Sequence, residues 1–371
     1  MDNTRTPKYD VTCISIPDLQ TLQMQWLELE AQSDCAFFLS WSWISSWLLC
    51  YQPKAKLIQI KDEQQRTRGL AIITCGNSKR YGCIKFKHLF MHQTGDPLED
   101  QIWIEYNGVL THKHEHNEVI NAFFHHIKSD LNSWEEFTIG AITQTESNLY
   151  QQSSGLHKHI IWEAKSYGID LKSMQKQNLK YLEHLSKNTR YQITRSIKSF
   201  ERNSSLTLTK ADSREQALAM LKAIAPLHIA RWGKGFENSG FDNPKFIAFH
   251  QQLISNSFDK NEIDLWKLSC DQQVIAYFYN YKYRNKVYFY LSALTKANHN
   301  KLKPGLVGHA LCVQYYLDHN FDYYDFMGGS EPYKASLATR KEDLYKVSFQ
   351  KPLLKYKIEQ LGRHCKKAIK G

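Results

Sequence analysis

The chain has 371 residues, of which 42% are hydrophobic and 13% aromatic, and its formal net charge is +11. This length exceeds what one ordinary core organises, and the composition excludes a disordered or fibrous protein. The first ten residues, MDNTRTPKYD, contain no apolar signal core, so we expect a cytoplasmic protein.

The positive charge is concentrated in two segments. Residues 172–202 contain eight Lys or Arg and two acidic residues, and residues 351–371 contain seven Lys or Arg and one Glu. Localised charge of this kind indicates an anionic partner, such as a phosphorylated cofactor, a nucleic acid or an anionic membrane. Ordinary solvated helix faces are the alternative interpretation.

The first half begins with a predicted strand at Tyr9–Ile16, followed by helices around Leu19–Glu30 and in Trp41–Tyr51. The apolar segment that includes the second helix, Ala36–Tyr51, is shorter than the ~20 residues needed to span a bilayer and is interrupted by serines. We therefore predict a core helix, with contact at a membrane surface as the alternative. Paired strands (LIQIKD, RGLAIIT), a helix (VINAFFHHI) and two further strands (FTIGAI, HIIWEA) follow.

The second half repeats this order. A strand (LTLTKA) precedes a helix at Arg214–Trp232 and a second helix that starts at Asn243-Pro244, where Asn can cap and Pro suits the first turn. Three strands (DLWKLS, VIAYFYNYKY, KVYFYLSALT), a helix at Val307–His319 and two strands (YYDFM, LYKVSF) complete it. The duplication predicts an α/β (α+β) protein with two domains, each a mixed, mostly antiparallel sheet flanked by helices.

Four segments carry a family resemblance: SKNTRYQITRSIKSFE, LHIARWGKGFENSGFDNPKFIAFHQQL, VYFYLSALTKANHNKLKPGLVGHAL and YYDFMGGSEPYKASLA. Through them the region from Ser186 to Ala338 resembles the CelD/BcsL-like acyltransferases of the GNAT superfamily. More distantly it is similar to the FemABX peptidyl transferases, which also contain two GNAT domains. The first half resembles these proteins in element order alone.

The resemblance implies two tandem GNAT-like domains and an acyl-CoA-dependent N-acyltransferase. The acceptor would be an amino sugar, an amino acid or a lipid amine, within envelope polysaccharide or lipid biosynthesis. We predict a non-catalytic N-terminal domain (1–168), a basic helical bridge (169–204), a catalytic domain (205–352) and a basic C-terminal helix (353–371). Contact with a membrane or a biosynthetic complex is expected, and DNA binding is not.

The segment KLKPGLVGHA, Lys301–Ala310, is the predicted donor site. Pro304 and Gly305 turn the chain, and free N–H groups at the start of the next helix can face a pyrophosphate. The resemblance implies that the end of the preceding strand also belongs to the donor site, because small residues there allow the pantetheine to approach. The predicted donor-binding residues are Ser292, Ala293, Lys303, Pro304, Gly305, Leu306, Val307 and Gly308. The spacing of the two glycines departs from the usual GNAT loop, Q/R-x-x-G-x-G/A.

The segment DFMGGSEPYK contains the predicted catalytic residues. Asp325 lies in an apolar strand end, where it either accepts the amine proton or anchors the following loop by accepting backbone hydrogen bonds. The resemblance implies that Tyr333, in that loop, protonates the leaving thiolate and that Lys334 stabilises the transferring carbonyl. An ordinary surface role for Lys334 is the alternative.

On the acceptor side, His228 and Trp232 lie four residues apart on one predicted helix and so share a face. Imidazole suits general-base work, although a packed or capping histidine is the alternative. We predict that Arg231, Trp232 and Tyr290 contact the acceptor.

No metal is predicted. The eight cysteines form no CxxC pair, which indicates free thiols, and the histidines of THKHEH lack a carboxylate or Cys at ligand spacing. Two other functions stay open. One is a FemABX-like transferase that uses aminoacyl-tRNA, which the basic segment favours, and the other is a catalytically inactive double-GNAT scaffold.

Overall fold

The computed structural model describes residues 8–81, 84–131, 133–202, 204–235, 238–296, 299 and 301–359. Its contacts divide the chain into two compact units, one comprising Met1–Glu163 with Leu344–Gly371 and the other Ala164–Asp343. A division by contacts does not test independent folding, so the domain boundaries stay a prediction. The part of the predicted C-terminal helix beyond Glu359 lies outside the described residues.

The chain alternates strands and helices throughout. From the start of the chain to the middle the elements are β1 (Tyr9–Ser15), α1 (Leu19–Ala31), α2 (Trp41–Tyr51), β2 (Ala55–Asp62), β3 (Thr67–Arg80), β4 (Ile84–Met91), β5 (Leu110–Thr111), α3 (His116–Ser129), β6 (Glu136–Thr143), α4 (Gln144–Ser154) and β7 (His157–Asp170). They continue with α5 (Leu171–Lys176), α6 (Tyr181–His184), α7 (Lys187–Phe200), β8 (Leu206–Lys210), α8 (Arg214–Trp232), α9 (Pro244–Ser257), β9 (Ile263–Cys270), β10 (Gln273–Tyr283), β11 (Lys286–Leu294), α10 (Pro304–Asp318), β12 (Tyr323–Gly328), α11 (Pro332–Leu337) and β13 (Arg340–Gln350).

In the first unit the strands run in the order β1-β2-β3-β4-β6-β13. All of these pairs are antiparallel except β4 with β6. The core forms where apolar residues of the sheet, such as Ile58 and Phe137, meet those of α3, such as Phe123. In α2, every residue from Trp41 to Trp47 is buried, so the predicted core helix is present and its aromatic face is covered within this unit.

In the second unit the strands run in the order β7-β12-β11-β10-β9-β8. Here again one pair is parallel, β11 with β12, and its neighbours are antiparallel. Helix α7, which lies in the predicted bridge, contributes Ile193 and Phe200 to the core, where they join Val307 and Val313 of α10. Each unit is therefore a mixed, mostly antiparallel sheet with helices, which confirms the predicted fold class.

The final strand of each unit comes from the other half of the chain. Residues 166–170 of β7 pair with β12, and residues 344–350 of β13 pair with β6. The duplicated order in the sequence did not predict this exchange. Because each exchanged strand occupies the same position beside a parallel pair, the two units keep the same strand order.

Among the described residues, no helix combines the length and the apolar character that crossing a bilayer requires. In the same residues, no group of three or more His, Cys, Asp or Glu is arranged to hold a metal ion. His116 of the THKHEH segment instead contacts Thr111 and Glu146, the latter at 2.9 Å from Nε2.

Candidate active site

Strands β11 and β12 diverge, which opens the sheet of the second unit. Their parallel ladder runs from Lys286 with Tyr323 to Tyr288 with Asp325 and ends there. Strand β11 continues to Leu294, still paired with β10 on its other side. Strand β11 therefore splays from β12, which frees the edge of β11 beyond Tyr288.

Helix α10 begins beside this opening. Pro304 occupies its first turn, and Lys303 at the N-cap makes no side-chain capping bond. The backbone N–H groups of Gly305 and Leu306 have no hydrogen-bond partner within the described chain. The N–H of Lys303 itself donates to Ser196 Oγ of α7 at 2.9 Å. The start of α10 is thus fixed by α7 and presents two free donors. Pro304 and Gly305 lie in the first turn of this helix and not in a turn before it, so the helix begins three residues earlier than the predicted Val307.

Helix α8 supplies the facing wall. Leu227, Ala230 and Arg231 lie three and four residues apart, so they share one face of the helix. Pro226 precedes them within α8 and cannot donate to the carbonyl one turn earlier, which interrupts the helical hydrogen bonds at this point.

These elements enclose a cavity of about 660 Å³, within the range of small-molecule sites. The lining residues are Leu227, Ala230, Arg231, Ser292, Leu294, Thr295, Lys296, Leu302, Lys303, Pro304, Gly305, Leu306, His309 and Tyr333. Of the predicted donor-binding residues, the cavity brings together Ser292 and the run from Lys303 to Leu306.

The other predicted donor-binding residues face the core. Ala293 and Val307 are fully buried and are not among the lining residues. Gly308 packs on the sheet, because a Cβ at this position would lie 2.1 Å from the ring of Phe278. The second glycine of the loop therefore serves close packing between helix and sheet.

The charged side chains that line the cavity are all cationic. Arg231, Lys296 and Lys303 line it, and its lining contains no Asp or Glu. None of the three cations forms an ion pair with a carboxylate of the described chain. With the free N–H groups and the positive end of α10, they provide an electropositive site for an anion.

Tyr333 and Lys334 lie in a short helix, α11, and not in the predicted loop. Pro332 accounts for the difference, since proline is favoured in the first turn of a helix. Tyr333 lines the cavity, and burial raises the pKa of its hydroxyl well above the ordinary value, so the phenol is protonated at neutral pH. Lys334 is buried and outside the cavity lining; its Nζ donates to the carbonyl of Gly328 at 2.9 Å and lies 3.3 Å from Glu331 Oε2.

Asp325 has the geometry of an anchor. Its Oδ1 accepts a hydrogen bond from the Met327 N–H at 2.7 Å and another from Ser166 Oγ at 3.1 Å. Met327 has φ of 61°, an uncommon conformation for a residue other than glycine, and the register between β12 and β7 shifts here. The carboxylate thus stabilises the turn that ends β12.

His228, Trp232 and Tyr290 lie outside the cavity lining. His228 Nδ1 is 2.8 Å from Ser239 Oγ, and burial, with the neighbouring Arg231, lowers the pKa of its imidazole to about 4. Trp232 is 44% exposed. The Tyr290 hydroxyl contacts His250 Nε2 at 3.1 Å in an aromatic cluster. Of the predicted acceptor residues, the structure places Arg231 at the cavity.

Sequence reasoning missed His309, which lines the cavity one turn after Gly305. Residues four apart share a helix face, so the spacing from Gly305 to His309 was the available signal. Thr295 and Lys296, also missed, directly follow β11. Their place in the cavity depends on how the strand end meets α8, which no local pattern encodes.

Comparison with known proteins agrees with this geometry. Residues 187–335 match the model of a family described as an acetyltransferase (GNAT) domain. The matched segment contains α7, the splayed strands, α10 and the first residues of α11. This segment of the chain is therefore similar to GNAT acetyltransferase domains. No curated protein matches the chain in sequence.

Solved structures share the fold of the whole chain. FemX has a TM-score of 0.60 at 10% identity, with 94% of this chain and 99% of that chain covered. A conserved protein of unknown function from Bacteroides thetaiotaomicron has a TM-score of 0.55 at 9% identity, with 92% of this chain and 100% of that chain covered. L-PGS from Bacillus licheniformis has a TM-score of 0.52 at 11% identity, with 94% of this chain and 98% of that chain covered. At these identities the likeness concerns the fold alone.

Proposed function

We propose that the protein is a cytoplasmic acyl-CoA-dependent N-acyltransferase of the CelD/BcsL-like type. It would transfer an acyl group from the thioester to an amine of an amino sugar, an amino acid or a lipid. The product would serve envelope polysaccharide or lipid biosynthesis. The GNAT match supports the transferase class, and the cavity of the second unit supports the donor.

The observation that carries the proposal is the charge of the cavity. Three cationic side chains line the cavity and two free backbone N–H groups lie at the start of α10, with no carboxylate in the lining. A pyrophosphate would satisfy these groups together, since each alone is a weak anion site. The remaining walls, including Leu227, Leu294 and Leu306, suit the less polar pantetheine arm and acyl chain.

The proposed roles follow from position. Lys303, Gly305 and Leu306 bind the pyrophosphate, and Ser292 contacts the arm along the free edge of β11. Tyr333 supplies a hydroxyl to the leaving sulfur, and Lys334 contributes positive charge from behind the cavity wall. Asp325 and His228 position the turn after β12 and the end of α8.

Calorimetry with CoA tests the donor. We expect binding by the wild-type chain and at least tenfold weaker binding by Lys303→Gln, because a charge-assisted contact to phosphate is lost. Lys222→Gln is the matched control, since Lys222 is an exposed residue of α8 outside the lining. Wild-type protein that binds no CoA would contradict the proposal.

One feature favours an aminoacyl-tRNA donor as the second candidate. Helix α7 carries Lys187, Arg190, Arg195 and Lys198, and it is joined to the start of α10 through Ser196. The Nε of Arg195 is buried and has no hydrogen-bond partner in the described chain. The phosphate groups of a tRNA backbone that lies along α7 would pair with these basic side chains.

The two donors predict different results. An aminoacyl-tRNA donor predicts tRNA binding that weakens steeply with salt and falls in an Arg190→Gln, Arg195→Gln double variant, without CoA binding. A catalytically inactive scaffold predicts binding of neither. Melting temperatures with CoA, acetyl-CoA and tRNA separate the three cases, because a ligand that binds the native state stabilises it.

A further inference from the structure

His309 is an unpaired polar group in the wall of the cavity. Its side chain lines the cavity yet is only 1% exposed. Neither ring nitrogen has a hydrogen-bond partner within the described residues, and Nδ1 is fully buried. The imidazole packs edge to face against Phe289, with ring centroids 4.5 Å apart, and stacks on Tyr333 at 5.2 Å with 20° between the planes.

Among the described residues, the other two fully buried histidines each have a partner for at least one ring nitrogen. His92 Nε2 accepts from the Ile72 N–H at 3.0 Å, and its Nδ1 lies 2.8 Å from Asn107 Oδ1. His250 Nε2 lies 3.1 Å from the Tyr290 hydroxyl. Burying a polar group without a partner is unfavourable, so the absence of any bond to His309 indicates a group supplied by a ligand.

The protonation state of His309 limits which ligand group could bind to it. Burial lowers the pKa of its imidazole to about 3, and the nearby charges of Lys334 and Arg231 act in the same direction. At neutral pH the ring therefore carries one N–H donor and one acceptor nitrogen. A neutral imidazole in an apolar wall can donate a hydrogen bond to a carbonyl oxygen without adding a charge.

We propose that His309 is a substrate-contacting residue whose neutral imidazole donates a hydrogen bond to the carbonyl oxygen of the acyl thioester, next to Tyr333. This inference rests on the proposed acyl-CoA donor. Contact with that oxygen stabilises the negative charge that it gains when the amine attacks. The C–N bond then forms, the C–S bond breaks, and the proton lost by the nitrogen ends on the sulfur.

The stacking of Tyr333 on His309 supports this assignment, because it places the two side chains next to each other in the cavity wall. Both rings line the cavity, and the Tyr333 hydroxyl also has no hydrogen-bond partner within the described residues. Two adjacent unpaired groups, one an imidazole and one a phenol, match the two heteroatoms of a thioester, its oxygen and its sulfur. His309 lies one helical turn after Gly305 in α10 and lines the same cavity.

The test compares acetyl-CoA with CoA, which lacks the carbonyl. Calorimetry with His309→Leu should show acetyl-CoA binding weakened about fivefold, the loss of one hydrogen bond of ~1 kcal/mol, and CoA binding within twofold of wild type. His309→Gln retains an amide donor and should recover much of the acetyl-CoA affinity. His250→Leu is the matched control, an equally buried histidine outside the cavity lining, and should change neither affinity.

The outcomes are distinct. Wild-type protein that binds neither CoA nor acetyl-CoA overturns the proposed donor, and the inference falls with it. Wild-type binding of both, together with equal acetyl-CoA affinity in His309→Leu, overturns the role of His309 alone. If His309→Leu does not fold, His309→Gln and His309→Asn decide. The longer Gln side chain should keep the wild-type ratio of acetyl-CoA to CoA affinity and the shorter Asn side chain should lower it, and the same ratio in both variants contradicts the contact.

Discussion

The carboxylate of Asp325 accepts a 2.7 Å hydrogen bond from the backbone N–H of Met327, two residues later. This contact holds Met327 at a positive φ, one residue before β12 ends at Gly328 and shortly before the segment that carries Tyr333 and Lys334. The position of the proposed catalytic residues therefore depends on a local turn that one side chain stabilises.

Replacing Asp325 tests the anchoring role. Asp325→Ala removes the acceptor and leaves the buried Met327 N–H unpaired, so we expect a loss of about 1–3 kcal/mol in the free energy of unfolding. Asp325→Asn keeps one oxygen at the Oδ1 position and should lose less. Urea unfolding of both variants measures this. A folded, fully stable Asp325→Asn protein with strongly reduced turnover would indicate a catalytic carboxylate.

Much of this site could be predicted from local patterns. The Pro-Gly pair indicated that a helix begins nearby, although α10 starts at Pro304 and not at the predicted Val307. The apolar run around Asp325 predicted a buried strand end. Both signals depend on neighbours in the chain. Sequence reasoning overlooked α11, although Pro332 is a signal for a helix start that could have been used.

Other features depend on contacts that the sequence does not encode locally. Alternating residues identify β7 and β13 as strands, but alternation does not specify a pairing partner, so their exchange could not be predicted. The sequence alone gives His309 no role, because its unpaired nitrogens and its stacking on Tyr333, 24 residues later, depend on the folded structure.

Gly305 provides a test of the donor site. Gly305→Asp should abolish CoA binding, because its carboxylate would occupy the free N–H groups and repel the pyrophosphate. The fold should persist, since an acidic residue in the first turn of a helix is favourable. Calorimetry with CoA measures the effect.

Gly305→Ala is the control for size. A Cβ at this position would lie 3.1 Å from Leu294 Cδ1, a contact that a small shift of a flexible side chain relieves. We expect CoA binding within a fewfold of wild type. Equal CoA affinity in the folded Asp and Ala variants would mean that the pyrophosphate binds at another site.

Lys334 should affect both stability and turnover. Lys334→Met leaves the Gly328 carbonyl without its 2.9 Å donor, which should cost about 1–3 kcal/mol of unfolding free energy. If the ammonium also supports the transferring carbonyl, turnover falls about 10²-fold or more with donor affinity unchanged. Lys341→Met, at an exposed position of β13, is the control. Wild-type turnover in Lys334→Met would assign this lysine a structural role only.

The buried histidines make a prediction for stability at acidic pH. Burial lowers the pKa of His250 and His309 to about 3 and that of His92 to about 4. The unfolded chain protonates histidine near pH 6.5, as an unperturbed imidazole does. Between these values the unfolded state binds more protons than the native state, so stability is present above the unfolded pKa and falls as the pH decreases.

The size of this effect can be measured one histidine at a time. Each buried neutral histidine should contribute a slope of about 1.4 kcal/mol per pH unit to the free energy of unfolding between roughly pH 6 and pH 4. His250→Leu should therefore reduce the slope of the wild-type curve by about that amount while lowering stability at pH 7, where the Tyr290 contact is lost. Urea unfolding at pH 6, 5.5, 5 and 4.5 measures the slope for both proteins. Because the contact energy shifts the whole curve and the proton linkage changes only its slope, the two contributions separate. Parallel curves for wild type and His250→Leu would mean that His250 is protonated in the native state, and its burial as a neutral ring would be wrong.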